Sequence, residues 1–255
     1  MLAKRRVINV DISIGSFAEH VRAICALGKA RQSSYVCCVN AHMAVEARDP
    51  SFNAIVNNAD MATADGMPIL YSMRWLAKVG QASSSRPVGE RVAGNDLMPA
   101  ILLEAERQGL GVFLYGGKQE VLDTIMRRSA MEQARSPIVG HASPPFREPT
   151  GAEMLETAAR INASGAHIVM VALGCPKQER WMAAMRGKVN GVMLGLGGAF
   201  LLYAGVDTRA PEWMRDLSLE WLYRLALEPR RLFKRYFITN SIFLGMFVKA
   251  WVKRQ

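Results

Sequence analysis

Short, uninterrupted apolar segments constrain the fold of this chain more than any other feature. Four of them are rich in Val, Ile, Leu and aromatic residues and are bounded by Gly, Asn or Pro: 35–39, 111–115, 168–173 and 191–196. Apolar residues that run continuously, instead of alternating with polar ones, are typical of parallel strands covered on both faces. We therefore expect a parallel sheet buried between two layers.

Segments with apolar residues at helical spacing lie between these strands, at 97–108, 119–128, 153–161 and 177–185. Strands that alternate with helices predict a doubly wound α/β fold. Two segments rich in polar or proline residues, 80–91 and 143–151, are predicted to be loops.

The character of the chain changes after residue 212. From Trp213 onward, apolar and basic residues recur at helical spacing, with a break at Pro229. We therefore divide the chain into an α/β core, 1–212, and a helical C-terminal appendage, 213–255.

The positive charge is concentrated in this appendage. The formal net charge is +10, and residues 220–255 hold eight basic and two acidic side chains, so they contribute +6 of it. Such a concentration indicates an anionic partner. Basic and aromatic residues mixed at helical spacing fit a membrane interface, a partner's groove or a packed helix.

Composition and cysteine spacing exclude several classes of protein. At 255 residues the chain is long enough for a large buried core, and none of its four Cys stands in a C-x-x-C pair. That pattern argues against a disulfide scaffold or a zinc ribbon and favours a reducing compartment. No signal peptide is evident. The segment closest to a membrane span, 236–248, is too short to cross a bilayer and is interrupted by Thr239, Asn240 and Ser241.

Several common ligand motifs are missing. The sequence contains no D-x-D and no phosphate-binding P-loop motif, and its four His are scattered. The run that begins at Gly195 fails the dinucleotide fingerprint because Phe200 stands where the third Gly belongs. We therefore expect no metal site and no cofactor.

Asp65 is the first candidate for chemistry. It precedes Gly66, and Pro68 is predicted at the first position of a helix, which would make Met67 the helix cap. A carboxylate outside that cap can project into a cleft as a general base. The alternative is an Asp that only forms a turn.

Two strand-to-helix junctions are further candidates. Gly116 and Gly117 allow a phosphate or ribose to approach the backbone, or they form only a tight turn. Lys177 and Gln178 follow Pro176 near the end of a strand, where ligands bind in open α/β sheets, or they form only a solvated helix start. Cys175 has no evident His partner for nucleophilic catalysis.

Five sequence blocks stand out, in this order: VNAHMAVEARDPSF…ADMATADGMPIL, ERVAGNDLMPAIL, VFLYGGKQEV, VALGCPKQERWM and LGGAFLLYAG…RAPEWMRDLSLEWLYRLALEPRRLFKRY. Together they resemble the WecG/TagA/CpsF family of bacterial glycosyltransferases. The resemblance runs from about Val7 to Tyr236 and so covers nearly the whole chain.

This resemblance implies a Rossmann-like parallel-sheet core with a C-terminal helical appendage. It also implies a metal-independent, inverting hexosyltransferase of the N-acetylmannosaminyl or glucosyl type. The donor would be a UDP-sugar and the acceptor a polyprenyl-diphosphate-linked saccharide, in exopolysaccharide or teichoic-acid-type assembly. Such an enzyme would work peripherally on the cytoplasmic face of the bacterial inner membrane.

The resemblance also assigns roles to individual residues. Asp65 matches the catalytic base. The matching substrate-binding residues are Asn40, Arg91, Gln178, Arg224, Arg231 and Lys234. Cys38 stands where some relatives are expected to carry Thr, so a hydroxyl contact to the ligand would be missing.

Residues 234–254 are expected to dock on an anionic membrane surface and to be separable from a stable core. The apolar residues of this docking segment are Tyr236, Phe237, Ile242, Phe243, Leu244, Phe247 and Trp251. A homo-oligomer is possible and nucleic acid is not an expected partner. The competing hypotheses are a non-catalytic nucleic-acid-binding module, suggested by the basic tail, and a nucleotide-dependent oxidoreductase.

Overall fold

The computed structural model describes residues 2–79, 89–216, 219–227 and 229–253. The strands in these residues are β1 (Lys4–Val7), β2 (Val10–Ser13), β3 (Ser34–Val39), β4 (Met61–Ala64), β5 (Val112–Gly116), β6 (Ile138–Ala142), β7 (Ile168–Ala172) and β8 (Val192–Gly195). Six of them form one parallel sheet in the order β4-β3-β8-β7-β5-β6, and β1 and β2 form a separate antiparallel hairpin. The predicted α/β parallel-sheet fold is confirmed.

Both faces of the sheet are buried, as the continuous apolar segments predicted. Along β3, Cys37 and Val39 pack into one core cluster, whereas Val36 and Cys38 pack into the other. Successive side chains of a strand point to opposite faces, so each face needs its own apolar residues. The two vicinal Cys are buried and free, as expected of small core residues.

The helices of the described residues are α1 (Phe17–Lys29), α2 (Ala41–Glu46), α3 (Pro50–Asn57), α4 (Met67–Val79), α5 (Gly94–Gln108), α6 (Gln119–Glu132), α7 (Gly151–Ala163), α8 (Lys177–Met185), α9 (Ala199–Tyr203), α10 (Glu212–Asp216), α11 (Glu220–Leu227) and α12 (Pro229–Val252). The local sequence explains where several of these helices begin. Ser16 and Glu19 form a capping box at α1, and Thr150 and Glu153 form one at α7.

The start of α4 differs from expectation. Met67 is the first residue of α4, so it is not the cap, and Pro68 occupies the second position. Proline is tolerated throughout the first helical turn, because the N–H groups there have no partner within the helix. At α8, Pro176 precedes the first helical residue, Lys177.

The C-terminal helix α12 packs partly on the core. Phe243 is only 8% exposed and lies in the same core cluster as residues of α2, with Ile242 packed against it. The ring of Phe247 meets that of Trp75 in α4 edge to face, with 6.4 Å between centroids. The burial of Phe243 contradicts the expectation that it faces a membrane, whereas Ile242 and Phe247 are only partly covered by the protein. A helix with apolar residues on more than one side does not reveal from its sequence which side the protein covers.

The opposite side of α12 carries an exposed apolar stripe. Phe233, Phe237 and Leu244 are 64%, 66% and 61% exposed, and Val248 is exposed as well. These four residues, which we call the outer stripe, recur at a spacing that aligns them along one side of a helix. Within the described residues, no helix combines the length and the apolar character that crossing a bilayer requires.

Candidate active site

The candidate residues gather at the edge of the sheet where the parallel strands end. Asn40 follows β3, Asp65 follows β4, and Gly117 follows β5. Gln178 lies in the first turn of α8, shortly after β7. Ligands of open α/β sheets bind at this edge, which makes it the candidate active site.

Asp65 and Asn40 are neighbours across two adjacent strands. Val39 pairs with Ala64 in the parallel register. The residues that follow them, Asn40 after β3 and Asp65 after β4, are therefore adjacent. The backbone N–H of Asp65 donates to the carbonyl of Val39 at 2.9 Å. Gly66 follows with a φ of +104°, and a Cβ placed on it would lie 3.9 Å from Asn40 Cβ. The half-buried Asp65 side chain therefore leaves the sheet beside Asn40.

Asn40 also begins a helix. Its side-chain carbonyl oxygen accepts a hydrogen bond from the backbone N–H of Met43 at 3.0 Å and so caps α2. This bond fixes the orientation of the Asn40 carboxamide at the sheet edge. Asn40 thus caps α2 and also lies beside Asp65.

Cys38 places a neutral thiol beneath this pair. Burial raises its pKa well above the ordinary value of 9.0, and the nearby negative charge of Asp65 raises it further, whereas a hydrogen bond with Thr63 opposes the shift. The Thr63 hydroxyl itself donates to the carbonyl of Val92 at 2.7 Å. Cys38 is therefore a buried apolar neighbour of Asp65.

Gln178 and Glu179 form a buried polar pair at the same edge. Gln178 Nε2 donates to Glu179 Oε1 at 2.7 Å. Burial raises the pKa of Glu179 above its ordinary value of 4.5, and hydrogen bonds from Gln178 and Cys175 partly oppose that shift. Within the described residues, Gln178 Oε1 and Glu179 Oε2 are buried without a hydrogen-bond partner.

The two glycines after β5 have different roles. A Cβ on Gly116, whose φ is +105°, would lie 2.5 Å from the carbonyl oxygen of Ala172, so the contact between β5 and β7 requires glycine there. Gly117 has a φ of +78°, and the nearest atom to a Cβ there, on Phe200, would be 3.8 Å away. Gly116 is thus explained by strand packing, whereas Gly117 leaves open space at the start of α6.

Arg91 belongs to a cluster of ion pairs. Its guanidinium contacts Asp96 in the first turn of α5 at 3.0 Å and Glu220 in α11 at 3.5 Å. Asp96 also accepts a hydrogen bond from Arg209. Arg91 therefore links the sheet edge to the C-terminal helices. Asp96, Arg209 and Glu220 were not among the candidates from sequence.

The remaining basic candidates belong to the C-terminal helices. Lys234 lies exposed on α12. The side chains of Arg224 and Arg231 lie outside the described part of the structure. In residues 2–79, 89–216, 219–227 and 229–253, no group of three or more His, Cys, Asp and Glu side chains is placed to hold a metal ion.

One protein-family model covers nearly the whole chain. The family model for the glycosyl transferase WecG/TagA/CpsF family matches residues 5–255. The chain belongs to this family. It is therefore a glycosyltransferase of cell-surface polysaccharide assembly, using a sugar donor and a lipid-linked acceptor.

Proposed function

We propose that this WecG/TagA/CpsF protein transfers a hexose-type sugar from a UDP-sugar to a polyprenyl-diphosphate-linked saccharide, with inversion at the anomeric carbon. The observation that carries the proposal is the adjacency of Asp65 and Asn40 at the ends of β4 and β3. A half-buried carboxylate at the ligand-binding edge of the sheet is suited to general-base catalysis.

Asp65 acts on the acceptor in this mechanism. Its carboxylate takes the proton of the acceptor hydroxyl as that oxygen bonds to the anomeric carbon. The bond from the anomeric carbon to the UDP oxygen breaks, and its electron pair leaves with the diphosphate. A single displacement from the opposite face inverts the anomeric configuration.

The leaving diphosphate needs positive charge or oriented N–H groups. We assign this role to Arg224, Arg231 and Lys234, and to the backbone N–H groups at the start of α6 after Gly117. Arginine and helix N-termini stabilise developing phosphate charge directly. Because the sequence has no D-x-D, these groups would replace a metal ion.

The outer stripe of α12 suits peripheral attachment to a membrane. Exposed aromatic and aliphatic residues lie along one side, and Arg230 and Lys234 lie exposed near its first turns. Each basic residue near an anionic surface contributes about 1 kcal/mol to the free energy of membrane binding. Burial of apolar side chains in the interface contributes in addition. We place the protein on the cytoplasmic face of the bacterial inner membrane.

The decisive experiment offers the protein a panel of UDP-sugars together with polyprenyl-diphosphate-linked acceptors. Mass spectrometry reports transfer, and NMR of the product reports its anomeric configuration. We expect transfer from a UDP-sugar with inversion. Transfer only from a donor carrying another nucleotide, or with retention, contradicts the proposal. Binding of UDP but not of NAD or single-stranded DNA separates it from the competing hypotheses.

A further inference from the structure

Glu179 is the most completely buried carboxyl group at the sheet edge. Its relative exposure is 0%, and its neighbours include the apolar core beneath α8. A buried carboxyl group costs free energy unless hydrogen bonds compensate for its lost hydration. The hydrogen bond that it accepts from a side-chain amide comes from the adjacent residue, Gln178, at 2.7 Å.

This contact dictates which way the Gln178 amide faces. A glutamine amide can turn by 180° and present either its carbonyl or its NH₂ group with nearly the same shape. Only a proton on Glu179 Oε1 itself would reverse this bond, because that O–H would donate to the Gln178 carbonyl. While Oε1 carries no proton it accepts a hydrogen bond, so the NH₂ group of Gln178 faces Glu179, as it does in the structure, and the carbonyl oxygen faces the other way.

The carbonyl oxygen of Gln178 faces the glycine turn after β8. A Cβ on Gly197 would lie 3.4 Å from Gln178 Oε1, and one on Gly195 would lie 3.0 Å from Nε2. Gly198, the next residue of the turn, is exposed. Within the described residues Oε1 has no hydrogen-bond partner although it is buried. Such an atom costs free energy until a donor reaches it.

We propose that Glu179 is a positioning residue that holds the Gln178 amide with its carbonyl oxygen toward the β8–α9 turn, where it accepts a hydrogen bond from an O–H or N–H group of the nucleotide-sugar donor. This inference rests on the proposed function. It makes the identity of residue 179 matter to donor binding although Glu179 itself touches no substrate.

The test compares Glu179→Gln, Gln178→Ala and the double variant. The amide of Glu179→Gln can donate to Gln178 Oε1, which permits the reversed orientation. We expect the affinity for the donor and kcat/KM to fall about tenfold, as for the loss of one buried hydrogen bond. The urea midpoint should stay equal or rise, because a costly buried carboxyl group is gone. In the Gln178→Ala background, Glu179→Gln should cause no further loss of binding.

Binding measured separately with UDP and with the UDP-sugar locates the contact on the nucleotide or on the sugar. If Glu179→Gln lowers donor affinity equally in the wild-type and Gln178→Ala backgrounds, Glu179 does not position Gln178. A fall in the urea midpoint that parallels the loss of activity also overturns the positioning role. A wild-type protein that neither binds nor transfers any UDP-sugar refutes the proposed function instead.

A second variant keeps the test valid if Glu179→Gln fails to fold. Gln178→Glu places two carboxyl groups in contact, so one of them must hold a proton at neutral pH. The protonated group restores an O–H donor between them and leaves an acceptor toward the turn. Turnover by this variant should therefore fall as pH rises, relative to wild type, and an unchanged pH profile overturns the proposal.

Discussion

Arg91 and Glu220 join the sheet edge to the C-terminal helices, with 3.5 Å between Nη1 of the arginine and Oε2 of the glutamate. The second guanidinium nitrogen of Arg91 contacts Asp96 at 3.0 Å. Both carboxylates hold an arginine that the family resemblance places in the active site. The position of α11 and the orientation of Arg91 are therefore coupled.

Asp96 should contribute more to stability than Glu220. Asp96 accepts from both Arg91 and Arg209, so Asp96→Asn leaves two guanidinium groups without their shared carboxylate. Because these groups are partly exposed, we expect a loss of about 1 kcal/mol in the free energy of unfolding. Glu220→Gln, which breaks one longer contact, should cost less than about 0.5 kcal/mol. Urea unfolding measures both, and the reverse ranking contradicts this account.

Asp65→Asn should abolish most of the turnover. The substitution keeps the shape of the side chain and removes its basicity, so kcat should fall about 100-fold or more. Donor affinity, measured by calorimetry with a UDP-sugar, should remain near the wild-type value. Asn40→Ala is the comparison, because it removes the neighbour and the cap of α2 but leaves the base. Near-normal turnover by Asp65→Asn rules out its role as base.

The outer stripe should govern membrane binding. Removing all residues after Phe233 would also remove Phe243 from the core, so point substitutions are the cleaner test. Phe233→Ser with Phe237→Ser should weaken binding to anionic vesicles about tenfold or more. High salt should weaken wild-type binding without abolishing it, since salt does not screen the apolar part.

The matched control for this membrane test is Met131→Ser, which removes a side chain that is 85% exposed on α6. It should leave vesicle co-sedimentation unchanged. Equal sedimentation of the control and the double Phe variant would place the membrane contact elsewhere on the protein.

Transfer should continue in excess chelator. The prediction follows from the missing D-x-D and from the arginines available to the diphosphate. Initial rates with EDTA should match those with added magnesium. Activity that is lost with EDTA and returns with magnesium or manganese would demonstrate a metal-assisted reaction.

His20 should make the fold less stable in acid. Burial lowers its pKa below the ordinary value of 6.5, although a hydrogen bond with the Ser16 carbonyl opposes the shift. The folded state then binds this proton less readily than the unfolded state. The stability contribution is complete above about pH 6.5 and is lost as the pH falls toward the lowered pKa. Urea midpoints across this range should fall less steeply for His20→Asn than for wild type.

Sequence patterns identified the central strands but not the whole sheet. The segments β3, β5, β7 and β8 are buried on both faces and therefore read as continuous apolar runs. The strand β4 consists of Met, Ala, Thr and Ala, of which only Thr is enriched in strands, although β4 leads directly to Asp65. The edge strand β6 is only partly buried and contains Gly and His. Its apolar signal is correspondingly weak.

The contacts of the site depend on residues far apart in the chain. Neither the pairing of Arg91 with Glu220 nor the packing of Phe243 on the core has a local sequence signal. Glu179 reads locally as an acidic residue in the first turn of a helix, which is a common and usually solvated position. Its burial follows from the sheet and from α8, and only the folded structure reveals it.

The packing of α12 on α2 has a consequence for the reach of the acceptor. Helix α2 begins next to Asn40, and α12 separates α2 from whatever surface the outer stripe rests on. One α-helix with its side chains is about 10–12 Å across. On a bilayer, α12 would therefore act as a spacer that sets the height of the reaction centre. A saccharide carried on a lipid diphosphate would have to span that height, so the length of the acceptor, in addition to its chemistry, would determine which hydroxyl reaches Asp65.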